Sequence, residues 1–248
     1  MSEPVVAALI LVSNDEFWLP YALESIQGVF ERAVIYNVGS EDGTANIINW
    51  WVDKERGRTD CLVRHLPMCP PNVQICFRNS MIAEARTETY WLADGDEVLR
   101  ADQAVMVPRL AVELRSWHTE HPRRRYGVVS RLEVSPDLRF QYSDIRGHHR
   151  LYTRDAVWTG THPGERPYYA QNSKTELDFT DVITVLHMHN ALRSSRESVA
   201  LRRTSRKSQR SYHPGRLIKF DLLKEYPILK NQIESWPMDP ALRELQNV

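Results

Sequence analysis

The feature that most constrains this chain is the alternation, over its first 100 residues, of short apolar runs with stretches of helical periodicity. Val5 to Val12 is a continuous apolar run rich in β-branched residues, as expected for a parallel strand buried on both faces. Leu19, Ala22, Leu23 and Ile26 then recur at helical spacing, and Pro20 places the start of the regular helix nearby. Arg32 to Val38 reads as a second strand, followed by the turn cluster Gly39-Ser40-Glu41-Asp42-Gly43-Thr44. Ala45 to Lys54 puts Ile47, Ile48, Trp51 and Val52 on one helical face, and Cys61 to Leu66 is a short third strand. Pro70-Pro71 opens another helical stretch carrying Val73, Phe77, Met81 and Ile82, and Thr89 to Ala93 is a fourth strand. The pattern predicts an α/β fold: a mostly parallel sheet with helices on both faces.

The second half has a different texture. A helical region from Ala101 to Trp117, interrupted at Pro108, precedes Arg123-Arg124-Arg125 and strand-like pieces at Tyr126 to Val134, Arg150 to Tyr152 and Thr180 to His189. Ser194-x-x-Glu197 has capping-box spacing and predicts a helix through Arg210, stopped at Pro214-Gly215. The organisation expected is one catalytic domain over 1–192, with a ligand-binding half (1–100) and an acceptor-side half (101–192). A basic helical segment, 193–248, packs on it.

Composition narrows the class. With 248 residues, 42% of them hydrophobic, the chain is long enough for a core that needs no disulfide or structural metal. Its longest apolar run is far short of the ~20 residues of a membrane span, which reads as cytoplasmic. Cys61, Cys69 and Cys76 match no paired-ligand zinc spacing and read as reduced core thiols. The balance of 32 basic against 32 acidic residues conceals a split: 193–219 holds nine basic residues and one acid, leaving 23 basic against 31 acidic elsewhere.

The chemistry-bearing motif is Asp94-Gly95-Asp96-Glu97, directly after the fourth strand. Two carboxylates separated by one small residue can hold a hard divalent cation, because the glycine lets the backbone turn tightly. In open α/β sheets, ligands bind at the carboxyl edge of the strands. A cation with few protein ligands keeps positions free for diphosphate oxygens. Neither a GxxxxGKS loop nor a GxGxxG follows the first strand, which argues against a P-loop ATPase and an ordinary dinucleotide dehydrogenase.

Ser13-Asn14-Asp15-Glu16, Asn37-Val38-Gly39-Ser40-Glu41-Asp42-Gly43-Thr44, Phe77-Arg78-Asn79 and Asp94-Gly95-Asp96-Glu97 occur in an order and spacing that resembles the GT-A glycosyltransferases, specifically the inverting family 2 group. The resemblance covers residues 5–100. It implies a Rossmann-like GT-A fold, transfer from a nucleoside-diphosphate sugar, a UDP-sugar by expectation, and Mn²⁺ or Mg²⁺ as cofactor. It assigns Asn14, Glu16, Asn37 and Asp42 to the nucleotide, Arg78 to the diphosphate, and Asp94 and Asp96 to the metal. Asn37 stands where the family usually has Asp, presenting a donor as well as an acceptor and so altering nucleotide preference.

A weaker likeness runs from Arg150 to Glu165, near a stretch that ends in His-Glu beside the acceptor in some such enzymes; here Pro163 and Gly164 intervene. An inverting transfer needs a base within about 3 Å of the acceptor hydroxyl. Glu165 is the first candidate, with Asp181 and His162 as alternatives. His187 and His189, i and i+2 on a strand, are candidates for a further metal ligand, the alternative being satisfied sheet histidines. His148-His149 reads as structural or acceptor-side. Arg193 and Arg196, opening the basic stretch, are candidates for the diphosphate. The acceptor expected is a hydroxyl of a saccharide or lipid-linked glycan, or of hydroxymethylated DNA reached through 193–219. The competing reading is a nucleotide-sugar or nucleic-acid binding module that performs no transfer.

Overall fold

The computed structural model describes residues 5–70, 72–121, 126–133, 140–142, 146–161, 166–167, 176–188, 193–194, 196 and 217–219. The first half runs β1 (Val6–Val12), α1 (Leu19–Ser25), β2 (Arg32–Val38), α2 (Thr44–Lys54), β3 (Asp60–Leu66), α3 (Gln74–Ala85), β4 (Thr89–Asp94) and β5 (Glu97–Leu99). After α4 (Ala101–Ala104) and α5 (Val107–Glu120) come β6 (Tyr126–Glu133), β7 (Phe140–Tyr142), β8 (Arg146–Thr153), β9 (Trp158–Thr159), β10 (Arg166–Pro167), β11 (Glu176–Asp178), β12 (Thr184–His187) and β13 (Leu217–Lys219).

The main sheet has the order β3-β2-β1-β4-β8-β6-β12-β5, with β11 also against β6. Strands β1 to β4 are parallel, as their apolar runs predict. The second half is mixed: β8 is antiparallel to both β4 and β6, β12 is parallel to β6, and β5 runs antiparallel to β12. This is the expected α/β layering, a largely parallel sheet with helices on both faces, in which antiparallel pairing enters only with the second half.

Alternation along β1 divides the core into two layers. Val6, Ala8, Ile10 and Val12 pack with Leu19 and Leu23 of α1, Ile47, Ile48 and Trp51 of α2, and Leu110 and Leu114 of α5. Ala7 and Leu9 face the other way, onto Met81 and Ala85 of α3 and Val34 and Tyr36 of β2. Helices therefore cover both faces, which is what a strand apolar on both sides requires.

Local details differ from the sequence reading at identifiable points. The break in the helical region falls at Val105–Met106, and Pro108 sits in the first turn of α5, where its missing N–H costs nothing. The strand read at Thr180 to His189 is confined to Thr184–His187, preceded by the separate β11. All three cysteines are free thiols, but Cys76 is exposed rather than in the core. Arg123-Arg124-Arg125 and most of the basic segment lie outside the described residues. Among those described, no helix is long and apolar enough to cross a membrane.

Ile48 is completely buried between α2 and β1. Its replacement by Ala is expected to cost about 2–5 kcal/mol in a urea titration, with an unchanged m value, as a large-to-small change in a packed core does.

Candidate functional site

The carboxyl ends of β1, β2 and β4 meet at one edge of the sheet. There the loops after β1 and β2 are stitched together by side chains. The N–H groups of Asn14 and Asp15 donate to the hydroxyls of Ser40 and Thr44, both at 2.9 Å, and Asn14 Oδ1 accepts the Glu41 N–H at 2.8 Å. Glu16 Oε2 accepts the Gly43 N–H at 2.8 Å, and Asp42 Oδ1 accepts that of Thr44 at 2.9 Å at the start of α2. Asn37, buried, receives the Ser40 hydroxyl on Oδ1 and has its amide nitrogen 3.2 Å from His65 Nδ1. Gly39 has φ +62°, and a Cβ there would lie 2.5 Å from the Met68 backbone, so no other residue fits this turn without displacement. The four residues assigned to the nucleotide thus cluster, and their polar atoms shape the loops.

Gly95 is required for a different reason. A Cβ would come within 2.8 Å of the Asp15 side chain, so the tight Asp94-Gly95-Asp96 turn lets the β1 loop pack against it. Asp15 is fully buried, and its carboxylate takes the Ser13 N–H at 3.1 Å and the guanidinium of Arg193. Burial and the nearby Asp96 charge outweigh Arg193 and raise the Asp15 pKa to about 6.

The two aspartates of the motif face different partners. Asp94 Oδ2 accepts from Arg150 Nη2 at 2.7 Å, and Arg78 Nη2 lies 3.7 Å from its Oδ1. Burial alone would raise the Asp94 pKa, but Arg150 and Arg78 together bring it down to about 2. Arg78 is held by its guanidinium over the Trp158 ring, 5.1 Å from the centroid, while its neighbour Asn79 exchanges two hydrogen bonds with the Trp158 backbone. Asp96, buried, points to His187, with Oδ1 3.7 Å from Nε2, and to Arg193, with Oδ2 3.6 Å from Nε. The peptide oxygen of Asp96 accepts the Met188 N–H at 2.8 Å, which ties this turn to the end of β12.

A continuous path of polar contacts runs from one aspartate to the other. From Asp94 it passes through Arg150 to Glu97, whose Oε1 lies 2.9 Å from His148 Nε2. His148 Nδ1 is 3.4 Å from Arg131 Nη1, and Arg131 Nε is 3.1 Å from Glu133 Oε1. Both oxygens of Glu133 lie 3.0 Å from His187 Nδ1, and His187 returns to Asp96. Burial and the Arg150 charge lower the His148 pKa to about 4, so at neutral pH the ring donates from Nε2 to Glu97 and accepts from Arg131 at Nδ1. Burial works against protonation of His187 too, yet Asp96 and Glu133 outweigh it and the net shift is upward.

Asp94, Asp96, His187, Arg78 and Arg193 are thus brought together at the edge formed by the loops after β1 and β2. Arg196 lies beside them, its guanidinium donating to the Glu41 carbonyl at 3.0 and 3.1 Å, and the Phe17 N–H donates to the Arg193 carbonyl at 3.0 Å. Asp181 is not part of the group: it is exposed, in the turn before β12, at the opposite end of that strand from His187. Glu165, His162 and His189 lie outside the described residues. Of the expected helix from Ser194, only Ser194 and Arg196 are described; Arg196 is in a turn, its N–H donating to the Ser194 hydroxyl at 3.1 Å.

Sequence reading gave no role to Asp15, Glu97, Arg131, Glu133 or Arg150, and took His148 as structural or acceptor-side. A usable signal existed for some: His148 and Arg150, and likewise Arg131 and Glu133, are i, i+2 pairs of polar residues in strands and so share a face. His149 alternates to the other side, 4.4 Å from the Tyr126 ring centroid.

The donor set fits a divalent cation at Asp96 and His187, with His187 Nδ1 already satisfied by Glu133 and Nε2 turned toward Asp96. Among the described residues no group of three or more His, Cys, Asp or Glu side chains converges on one point.

Neither a protein-family model nor a curated protein matches the chain. Among solved structures it is similar to a 1–349 fragment of TarS from S. aureus, at 15% identity and a TM-score of 0.42, over 62% of this chain and 50% of that one. The same fragment in complex with UDP-GlcNAc gives 14% identity and a TM-score of 0.44 over 97% of this chain and 70% of that one. The mannosyltransferase PcManGT from Pyrobaculum calidifontis, in complex with GDP-Man and Mn²⁺, gives 16% identity and a TM-score of 0.41, over 63% of this chain and 46% of that one. The chain spans about half the length of TarS 1–349 and of PcManGT as first aligned.

Arg150 compensates two carboxylates, so Arg150→Met is expected to cost about 3–5 kcal/mol. The pH dependence distinguishes this from a packing loss. In the native protein Asp94 and Glu97 are both lowered to about 2, so their contribution is complete above about pH 4.5 and falls away between there and pH 2. Without Arg150 the buried carboxylates shift upward, and acidification from pH 7 to about 4 is expected to raise the variant's melting temperature relative to the native protein.

Proposed function

We propose that this protein transfers a sugar from a nucleoside-diphosphate sugar, a UDP-sugar by first choice, to a hydroxyl acceptor. The observation that carries this is the convergence of Asp96 and His187 at the carboxyl edge of a parallel strand, flanked by Asp94, Arg78 and Arg193. Mn²⁺ or Mg²⁺ bound there would supply positive charge against the diphosphate that leaves.

The remaining roles belong to the chain. Arg78, fixed over Trp158, presents a guanidinium beside Asp94 on the diphosphate side. Asn14, Glu16, Asn37 and Asp42 form the nucleotide-side wall, in which the Asn37 amide replaces a carboxylate and favours a base edge that accepts as well as donates. Arg193 and Arg196 cross the loops after β1 and β2 and place positive charge over the donor. The proton of the acceptor hydroxyl goes to Glu165 in the first instance, with His162 the alternative; Asp181, exposed at the far end of β12, is set aside. Family 2 membership and inversion at the anomeric carbon are part of the same proposal, which the order of the four motifs supports.

The test is incubation with a panel of nucleotide sugars and Mn²⁺ while free nucleoside diphosphate is measured. Release or transfer is expected from the native protein, and a loss of at least about 100-fold from Asp94→Ala and Asp96→Ala, with both variants still folded. Unchanged turnover in these variants would sink the metal and diphosphate assignment. A melting temperature raised by UDP, with no nucleotide released from any donor, would establish the binding module instead.

For the acceptor, saccharides and lipid-linked glycans are tried alongside hydroxymethylated DNA. A DNA acceptor reached through 193–219 predicts duplex binding that weakens steeply from 50 to 200 mM salt, as phosphate contacts do. Binding indifferent to salt excludes it.

A further inference from the structure

We infer that Glu133 is a positioning residue for the cation site: anchored by Arg131, it fixes His187 with Nε2 turned toward Asp96. This rests on the reading of Asp96 and His187 as cation ligands and adds to it a residue that touches neither cation nor substrate.

Glu133 ends β6 and His187 ends β12, and the two are register partners in that parallel pair. Both side chains are buried, at 8% and 10% exposure, so water does not compete for their contact. His187 Nδ1 lies 3.0 Å from each oxygen of Glu133, a symmetric arrangement in which one ring N–H is shared by a carboxylate. An ionised carboxylate only accepts, so it keeps a proton on Nδ1, and in the neutral ring that a cation would bind, the lone pair falls on Nε2, which faces Asp96 Oδ1 3.7 Å distant. A carboxylate bonded to the far nitrogen also raises the basicity of the near one, which strengthens it as a ligand.

Arg131 keeps Glu133 from swinging away. Its Nε stands 3.1 Å from Glu133 Oε1, and its Nη1 faces His148 Nδ1 at 3.4 Å, so it is held from both sides. Swinging Glu133 off His187 would break this buried pairing and leave charge uncompensated. His148 faces the same enclosure, its ring centroid 6.4 Å from that of His187, but it is spent on Glu97 and Arg131.

The experiment measures Mn²⁺ affinity by the EPR signal of free Mn²⁺, with UDP at saturation, for the native protein, Glu133→Ala, Glu133→Asp, His187→Ala and the two double variants. Glu133→Ala is expected to weaken Mn²⁺ by about 10–100-fold, the range found when such outer carboxylates are removed. Glu133→Asp keeps the charge but shortens its reach and is expected to fall between. If the Ala variant does not fold, the Asp variant carries the test. In the His187→Ala background neither change is expected to alter affinity by more than about 2-fold, because a residue that acts through the imidazole has nothing left to act on. A purely structural Glu133 would lower the melting temperature without moving Mn²⁺ affinity, and that result overturns the inference. So does an equal loss in both backgrounds. A native protein that binds no Mn²⁺ in the presence of UDP overturns the cation site itself; one that binds it regardless of Glu133 overturns only the positioning role.

Discussion

The Arg150 guanidinium, buried between Asp94 and Glu97, is the contact on which the edge of this sheet depends. Removing three charges from water is costly, and the arrangement persists because each carboxylate has its cation within hydrogen-bond reach. Two consequences follow for the rest of the site. Asp94 stays ionised despite its burial, and the turn through Gly95 is held so that Asp96 points elsewhere, toward His187 and Arg193. A single residue of the second half thereby orients the motif that ends the first half.

The polar path from Asp94 to Asp96 draws residues from β4, β5, β6, β8 and β12. These strands pair in an order unrelated to their order in the chain, and the antiparallel insertion of β8 between β4 and β6 brings His148 and Arg150 alongside the β4 edge. Each member is within ion-pair or hydrogen-bond distance of the next, so a change at one reaches the others through the buried network.

Asp15 shows the opposite balance. It too has an arginine, Arg193, yet its pKa stands at about 6, because complete burial and the neighbouring Asp96 charge exceed what one guanidinium returns. Among the described residues, Asp15 and Asp96 both face the Arg193 guanidinium, and His187 faces Asp96 from the other side.

Much of the fold was legible in the sequence, because unbroken apolar runs such as Val5–Val12 are tolerated only in strands covered on both faces, and because the helical periodicities between them leave one topology class. The acidic turn after the fourth strand, the loops after the first two and Arg78 were legible too, since their chemistry is local: a glycine that permits a turn, a carboxylate beside it, a position at a strand's end. What the sequence could not determine was which charges neutralise one another. Arg150, Arg131 and Glu133 sit in strands whose residues lie 30 to 60 positions from the motif, and nothing in their spacing names Asp94, Glu97 or His187 as partners. That choice was made by strand order and register, because a buried ion finds its partner by distance in space and not by distance along the chain.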